Sequence, residues 1–306
     1  MYFQLTDEQR ALRAGVRELL AGRFARDRMR ACLADAAVDR GLWRELGSAG
    51  LFDLRLDGMG LAEAALVFEE AGRALLPGPL VATHLAAGVV DGAAEGKAVV
   101  AGCDGTLVDH LADADAVLWI EGRAALALDP AQLITVPLRS VDPLTPLWRV
   151  EARPADGQAV SDASRLHREA VLLTAAQQCG SAGGTVELAV EYAGTRRQFG
   201  RAIGTFQAIK HLCADMLVRV EMARTAVYAA AVTGDPTEIA AAKLLADEAA
   251  VRNSRDCLQI FGGMGFTWEA DVHLHMKRAW LLSTRFAREG EIQDALARSL
   301  CSPDFW

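Results

Sequence analysis

The stretch YAGTRRQFGRAIGTFQAIKHLCADM, residues 192–216, decides the fold, because it ends one helix, makes a short turn and opens the next helix. From residue 206 onward, apolar residues recur three and four positions apart, which predicts a long helix with a narrow apolar face. Such a face is typical of helices that pack nearly parallel in a bundle. Left in water it would promote aggregation, so we expect it to need a cover from another chain. Its members are Phe206, Ile209, Cys213, Met216, Val220, Ala223, Val227 and Ala230.

The turn inside this stretch carries two adjacent arginines. Arg196 and Arg197 lie beside a loop in which Gly200 and Gly204 allow close backbone approach. An arginine fork held at a rigid helix junction suits a phosphate, because the guanidinium donates hydrogen bonds in pairs and stays charged. The residues by themselves leave two interpretations open, an anion site or two solvated arginines at a helix end.

The first half of the chain shows two different sequence patterns. Residues 1–83 are mostly helical, and Thr6 can cap the first helix. Residues 84–159 alternate short apolar runs with Gly, Asp and Pro, which predicts a small β domain. The prolines at 143, 146 and 154 are expected to mark its exit.

The second half, residues 160–306, is helical again. Ser161 or Asp162 can cap a helix that runs to about Thr195, and Asp235 followed by Pro236 begins a later one. A fourth helix is predicted from Val272 towards Phe286. Four long helices with short connections predict a four-helix bundle, so the fold class is mainly α with a small central β domain.

Several other residues receive structural interpretations. Glycines and small residues at 180–184 predict close approach by a neighbouring helix or by a planar ligand. Glu69 and Glu70 are expected on a solvated helix face, and His84 and His110 in surface or structural positions.

Composition excludes several classes of protein. With 306 residues, a formal charge of −8 and a pI near 5.3, the chain is not expected to bind nucleic acid. It shows neither a signal-peptide pattern nor an apolar run of membrane-spanning length, so we expect no membrane association. Its six cysteines lack metal-ligand spacing, which indicates free thiols in a reduced, cytoplasmic protein without a bound metal.

The opening stretch resembles the acyl-CoA dehydrogenase family, whose C-terminal bundle carries an R-x-x-F-G…F-Q…L-A-D-M signature. A second segment, KLLADEAAVRNSRDCLQIFGGMGFTWE (residues 243–269), is similar to the family's A-K-L…Q-I-x-G-G-x-G-[FY]-x-x-E segment. The resemblance implies an all-α N-terminal domain, a central β domain and a C-terminal four-helix bundle.

It also implies an activity and a cofactor. Members of the family remove hydrogens from Cα and Cβ of an acyl-CoA; a glutamate takes the α-proton and FAD accepts the β-hydride. The FAD tail crosses a subunit interface in this family, and the two segments hold its ADP part. The residues that carry over to this role are Arg196, Gln198, Phe199, Phe206, Gln207, Gln259, Gly262 and Gly263.

The half of the family site that serves the flavin ring and the base does not carry over. Residues 84–159 contain nothing similar to the family's T-E-P-x-A-G-S-D loop or W-[IV]-[TS]-N strand. Ungapped alignment places the two alternative base positions at Phe286 and Ala170. Glu169 and Glu289 lie close to those positions, and Lys277-Arg278 replaces the family's Arg-Asp, so the catalytic residue is left unassigned.

This asymmetry resembles the short subunits of two-plus-two heteromeric acyl-CoA dehydrogenases in actinobacteria. The resemblance implies a longer partner subunit, an electron-transfer flavoprotein as acceptor, and an acyl-CoA substrate such as a steroid side-chain CoA thioester. Two alternatives stay open: a self-sufficient homo-oligomeric enzyme that uses Glu169 or Glu289, and a helical scaffold subunit without catalytic function.

Overall fold

The N-terminal part of the computed structural model, which describes residues 4–56, 58–121, 124–160 and 162–301, is helical as predicted. Thr6 caps α1 (Asp7–Arg23), and the side chain of Gln9 returns a bond to the Thr6 N–H, which completes a capping box. Ser161, one of the two candidate caps of the long helix that follows it, lies outside the described residues. The remaining N-terminal helices are α2 (Arg26–Ala31), α3 (Arg40–Ser48), α4 (Leu61–Arg73) and α5 (Leu80–Ala86).

The solvated-face interpretation of Glu69 and Glu70 is wrong. Helix α4 is covered on both sides, and the two glutamates are only 4% and 1% exposed. Glu69 accepts hydrogen bonds from Arg224 (2.8 Å) and from the Tyr228 hydroxyl (2.6 Å). Glu70 pairs with Arg17. The two carboxylates can be buried because arginines that are distant in sequence neutralise them. A local sequence pattern does not reveal such partners.

The central region forms a seven-stranded sheet. Its strands are β1 (Val100–Cys103), β2 (Leu107–Asp109), β3 (Ala116–Glu121), β4 (Ala124–Leu128), β5 (Ile134–Leu138), β6 (Leu147–Ala152) and β7 (Gln158–Ala159), in the order β5-β6-β2-β1-β3-β4-β7. Only the β1–β3 pair is parallel among the described pairs. The sheet does not end at the three prolines as expected. Pro146 and Pro154 flank β6, outside its hydrogen-bonded ladder, where a missing N–H costs nothing.

The C-terminal part is the predicted helical bundle. It consists of α6 (Ala163–Thr195), α7 (Gln207–Thr233), α8 (Pro236–Phe261) and α9 (Val272–Leu282), with a short hairpin, β8 (Arg197–Gln198) and β9 (Arg201–Ala202), between α6 and α7. Asp162 caps α6 and Asp235 caps α8. The small residues of α6 serve helix packing: a Cβ at Gly180 would lie 1.8 Å from the backbone oxygen of Glu69 on α4.

Two expectations about the bundle are wrong. The fourth helix ends at Leu282, short of Phe286, and a separate helix α10 (Glu289–Leu300) follows. The apolar face of α7 does not need another chain, because from Met216 to Ala230 its predicted members are at most 2% exposed within this chain. His84 and His110 are buried, in agreement with structural roles. Within the described part of the chain, no helix has the length and apolar character to cross a membrane.

Candidate functional site

The two sequence segments that resemble the family signature meet at one end of the bundle. Near the end of α6, the ring of Tyr192 stacks on Phe261 at the end of α8, with ring centroids 4.0 Å apart and planes 12° apart. This contact brings the end of α6, from which the hairpin follows, against the end of α8, from which the glycines follow. The eight predicted residues lie on these two segments; Phe206 is half-buried and the other seven are exposed. We call this surface the cradle.

The hairpin holds an aromatic side chain in solvent. Its two-residue turn consists of Phe199 (φ +53°) and Gly200 (φ +79°), both in the left-handed region. That conformation suits glycine but costs a side-chain-bearing residue about 1–2 kcal/mol. Phe199 is nevertheless 89% exposed, and its ring meets the edge of Phe206 at a centroid distance of 6.0 Å. A strained, solvent-facing phenylalanine on a rigid turn is a feature that a stacking ligand would use.

The hydrogen-bond donors of the cradle differ in how they are engaged. Arg197 donates to the Gly200 carbonyl (3.2 Å), and Gln198 donates to the Arg197 carbonyl (2.8 Å). The guanidinium of Arg196 makes no hydrogen bond or ion pair with the described residues, although the backbone N–H of Arg196 donates to Tyr192. A free, exposed guanidinium beside two further arginines at 197 and 201 fits the diphosphate of a dinucleotide.

The two glycines after α8 have different structural requirements. Gly262 has φ +60° and ψ −139°, a backbone conformation open essentially only to glycine. Gly263 has an ordinary backbone conformation, and a Cβ there would meet no atom within 4 Å. The backbone conformation explains why residue 262 is a glycine. Neither conformation nor packing within the chain explains the glycine at 263. An open glycine at 263 leaves the backbone accessible to a ligand, so the residues of the cradle fit the ADP part of FAD.

The cleft that should hold the flavin ring and the base is closed. Phe286, at one of the two predicted base positions, lines a cavity of only about 40 Å³. Ala170, at the other, is completely buried on α6, and its carbonyl accepts a bond from Thr174, which also lines the cavity. A space of this size holds about three water molecules and not a three-ring flavin. The residues that line this cavity therefore do not fit a flavin ring.

A buried arginine closes the cleft. Arg285 is 3% exposed and donates to the carbonyl of Gly102 (3.0 Å) on β1, while its Nε lies 3.2 Å from the Asp104 carboxylate. Asp104 also accepts a bond from the Phe286 N–H (2.6 Å). Burial raises the pKa of Asp104 above its usual range, and the charge of Arg285 opposes that rise. Arg285 thus ties the sheet to the segment after α9.

A second buried arginine supports the closure. Arg278 on α9 pairs with Asp142, which is completely buried, and donates to the Leu76 carbonyl (3.2 Å). The sequence shows the basic pair at 277 and 278 as a departure from the family, without indicating its partner. No sequence pattern points to Arg285, Asp104 or Asp109. The sequence signals that this cleft had changed were the departure at 278, the missing flavin-ring motifs in residues 84–159, and the absence of a carboxylate at Phe286 and Ala170.

The candidate bases do not reach the closed cavity. Glu169 is buried away from it and is held by Arg165 (2.6 Å) and Arg55 (3.1 Å). Glu289 is exposed at the start of α10, accepts a bond from Gln293, and lines a separate pocket of about 690 Å³ between α8 and α10. The carboxylate that does line the cavity is Asp109, which accepts a bond from the Gly102 N–H (3.1 Å) and lies 3.8 Å from Arg285.

The fold thus combines an N-terminal helical part, a central sheet and a C-terminal bundle with an exposed cradle, the architecture expected of an acyl-CoA dehydrogenase. Family models described as the acyl-CoA dehydrogenase N-terminal and C-terminal domains match residues 6–96 and 157–286. Acyl-CoA dehydrogenase IpdE2 from Mycobacterium tuberculosis is 36% identical over 296 residues, which covers 89% of this chain and 91% of the relative. This chain belongs to the acyl-CoA dehydrogenase family.

Solved structures confirm the fold. The ChsE4–ChsE5 complex from Mycobacterium tuberculosis matches with a TM-score of 0.85 at 23% identity, covering 99% of this chain and 100% of that chain. A Tcur3481–Tcur3483 steroid ACAD variant matches with a TM-score of 0.84 at 22% identity, covering 97% and 99%. The predicted fold class is therefore confirmed, including the central sheet and the C-terminal bundle.

Proposed function

We propose that this chain is the ADP-holding subunit of a heteromeric, FAD-dependent acyl-CoA dehydrogenase. The cradle binds the diphosphate and adenosine of an FAD whose flavin ring lies in a longer partner subunit. Bound there, FAD would supply a hydride acceptor for Cβ of an acyl-CoA, and a carboxylate of the partner would take the α-proton, which would give an α,β-unsaturated acyl-CoA and reduced flavin. The catalytic base is not supplied by this chain.

One observation carries this proposal: the tail-binding and ring-binding halves of the family site have opposite states in this chain. The cradle is exposed and keeps a free arginine, Arg196, whereas Arg285 and Phe286 fill the ring cleft. A nucleotide whose tail binds in the cradle must therefore place its ring in a chain of different sequence, because every copy of this chain has the same filled cleft.

The substrate and acceptor follow from the resemblance and from the neighbouring structures. A structural neighbour is described as a steroid ACAD, and another is a complex of two differently named chains. These descriptions support a bulky acyl-CoA, such as a steroid side-chain CoA thioester, as the substrate class and a two-plus-two assembly. An electron-transfer flavoprotein would reoxidise the flavin. All six cysteines are free thiols, which fits a reducing, cytoplasmic location.

The self-sufficient alternative is less well supported. It requires Glu169 or Glu289 to act as the base, and neither carboxylate lines the closed cavity. The scaffold alternative leaves the free Arg196 and the open Gly263 of the cradle without a purpose.

The test is to purify the chain alone and together with the motif-complete acyl-CoA dehydrogenase chains of the same genome. We expect the chain alone to bind no flavin and to lack dehydrogenase activity, and one pairing to give a yellow, acyl-CoA-active complex. Activity of the chain alone that is lost on Glu169→Gln or Glu289→Gln would establish the self-sufficient enzyme instead. A colourless, CoA-inert complex would establish the scaffold.

A further inference from the structure

A group of exposed aromatic and apolar side chains follows the cradle glycines directly. Met264, Phe266 and Trp268 are 45%, 76% and 61% exposed, within six residues of Gly262. We call residues 264–268 the aromatic turn. Single exposed apolar residues are common on protein surfaces, but a cluster of large ones on a short turn marks a contact surface.

The aromatic turn is held rigidly from the N-terminal part of the chain. Two arginines of α2 bind the segment that follows it: Arg30 donates to the Trp268 carbonyl and to Asp271 (2.5 Å each), and Arg26 donates to the Glu269 carbonyl (2.8 Å) and pairs with Asp271. Asp271 is only 8% exposed. Four contacts from two arginines pre-organise the turn, which lowers the entropy cost of an association.

At the border of the turn, a buried histidine supports Trp268 from within and a charged lysine is left for a second molecule. His273 lies under Trp268 with ring centroids 4.8 Å apart and is 92% buried, and neither ring nitrogen has a hydrogen-bond partner among the described residues. Lys277 sits over the Trp268 ring at 4.5 Å and forms no ion pair within the described part of the chain. The ammonium of Lys277 beside exposed aromatics fits a surface that presents carbonyl or carboxylate oxygens, whereas the buried ring of His273 supports Trp268 from within the chain.

We propose that the aromatic turn, with Lys277 at its border, is the docking surface for the flavin-bearing partner subunit, an inference that rests on the proposed function. The surface is continuous with the cradle, so a chain that holds the ring of an FAD whose tail lies in the cradle must come close to it. A second copy of this chain is not that occupant, since its own ring cleft is closed by Arg285 in the same way.

The test uses the co-purified complex with Trp268→Ser or Phe266→Ser, and Val232→Ser as the matched control. Val232 is also exposed (70%) but lies at the far end of α7, roughly 40 Å along the helix from the cradle. We expect the Kd between the unlike chains, measured by sedimentation and native mass spectrometry over a dilution series, to rise at least about thirtyfold with Trp268→Ser. The control should stay within about twofold of the wild-type Kd.

The outcomes separate this inference from the function on which it rests. An unchanged Kd for both turn variants, in a complex that still carries FAD, overturns the docking surface and leaves the proposed function standing. A wild-type chain that forms no flavin-containing complex overturns both. If the variants instead weaken a homodimer of this chain, the occupant is a second copy and the inference is wrong. Thermal unfolding of the variants should match the wild type, because both side chains are exposed.

Discussion

The cradle and the closed cleft lie in the same chain but have opposite physical character. The cradle consists of exposed groups, with a free guanidinium at Arg196 and an open glycine at 263. The cleft is filled by a buried arginine, Arg285, whose donors reach the sheet, so its residues bind one another and leave no room for a ligand. The comparison teaches that one half of a family site can stay exposed while the other half is packed into the core.

The largest expected effect comes from opening the closed cleft. Arg285→Met removes the charge that faces Asp104 inside the protein, and leaving one partner of a buried pair uncompensated costs about 3–5 kcal/mol of unfolding free energy. Urea denaturation measures this loss. The exposed pair Arg149–Glu151 provides the control, since Arg149→Met should cost less than about 1 kcal/mol. If Arg285→Met abolishes FAD binding by an intact complex, the cleft still serves the flavin.

The same variant has a defined pH dependence. Burial already raises the pKa of Asp104, so its protonated form favours the folded state, and that stabilisation is present at low pH and lost as the pH rises. Removing Arg285 raises the Asp104 pKa further. The destabilisation by Arg285→Met should therefore be larger at pH 8 than at pH 5, and Asp104→Asn in the same chain should remove this difference. If the loss of unfolding free energy in Arg285→Met does not depend on pH, it comes from lost packing and not from the charge of Asp104.

An intermediate effect is expected in the cradle. Arg196→Ala should reduce the affinity of the complex for FAD about ten- to a hundredfold, because a charge-assisted contact contributes about 1.5–3 kcal/mol. Flavin retained after gel filtration measures it. Arg139→Ala, which removes an exposed arginine of the sheet region, should change nothing. Equal flavin retention in both variants would return Arg196 to the interpretation as a solvated arginine.

The smallest effects distinguish the two cradle glycines. Gly263→Ala should leave the unfolding free energy within about 0.5 kcal/mol, since its backbone is ordinary and its Cβ meets no atom, yet it should weaken FAD binding. Gly262→Ala should destabilise the fold by about 1–3 kcal/mol through backbone strain. If Gly263→Ala leaves FAD binding unchanged, the backbone at 263 does not approach the nucleotide.

Local signals made much of the fold predictable from sequence. The capping residues Thr6 and Asp235, together with the apolar spacing along α7, gave the helices because they act within one or two turns. The burial of Glu69 could not be predicted from the sequence, because its neutralising partner Arg224 lies 155 residues away. The cover of α7 was misjudged for the same reason. An apolar helix face that is visible in the sequence shows that the face must be buried, but it does not show which part of the fold covers it.

For the candidate site, the residues of the cradle follow from the resemblance, and the structure brings their two segments together through Tyr192 and Phe261. Its binding role stays a prediction. The closure of the cleft was not predictable, because Arg285 meets Gly102 and Asp104 across more than 180 residues of chain. The sequence showed that the flavin-ring motifs and a carboxylate at Phe286 were missing, and the structure shows what occupies the space.

The most direct test of the central claim is the flavin stoichiometry of the assembled complex. Native mass spectrometry with absorbance-based flavin quantitation should find two copies of this chain, two of a longer chain and one FAD per copy of this chain, half the content of a tetramer with four complete sites. The reciprocal sites stay empty because the cleft behind Arg285 cannot hold a ring. Two FAD per copy of this chain would contradict the account, since the second ring would have to bind in the cleft that the structure closes.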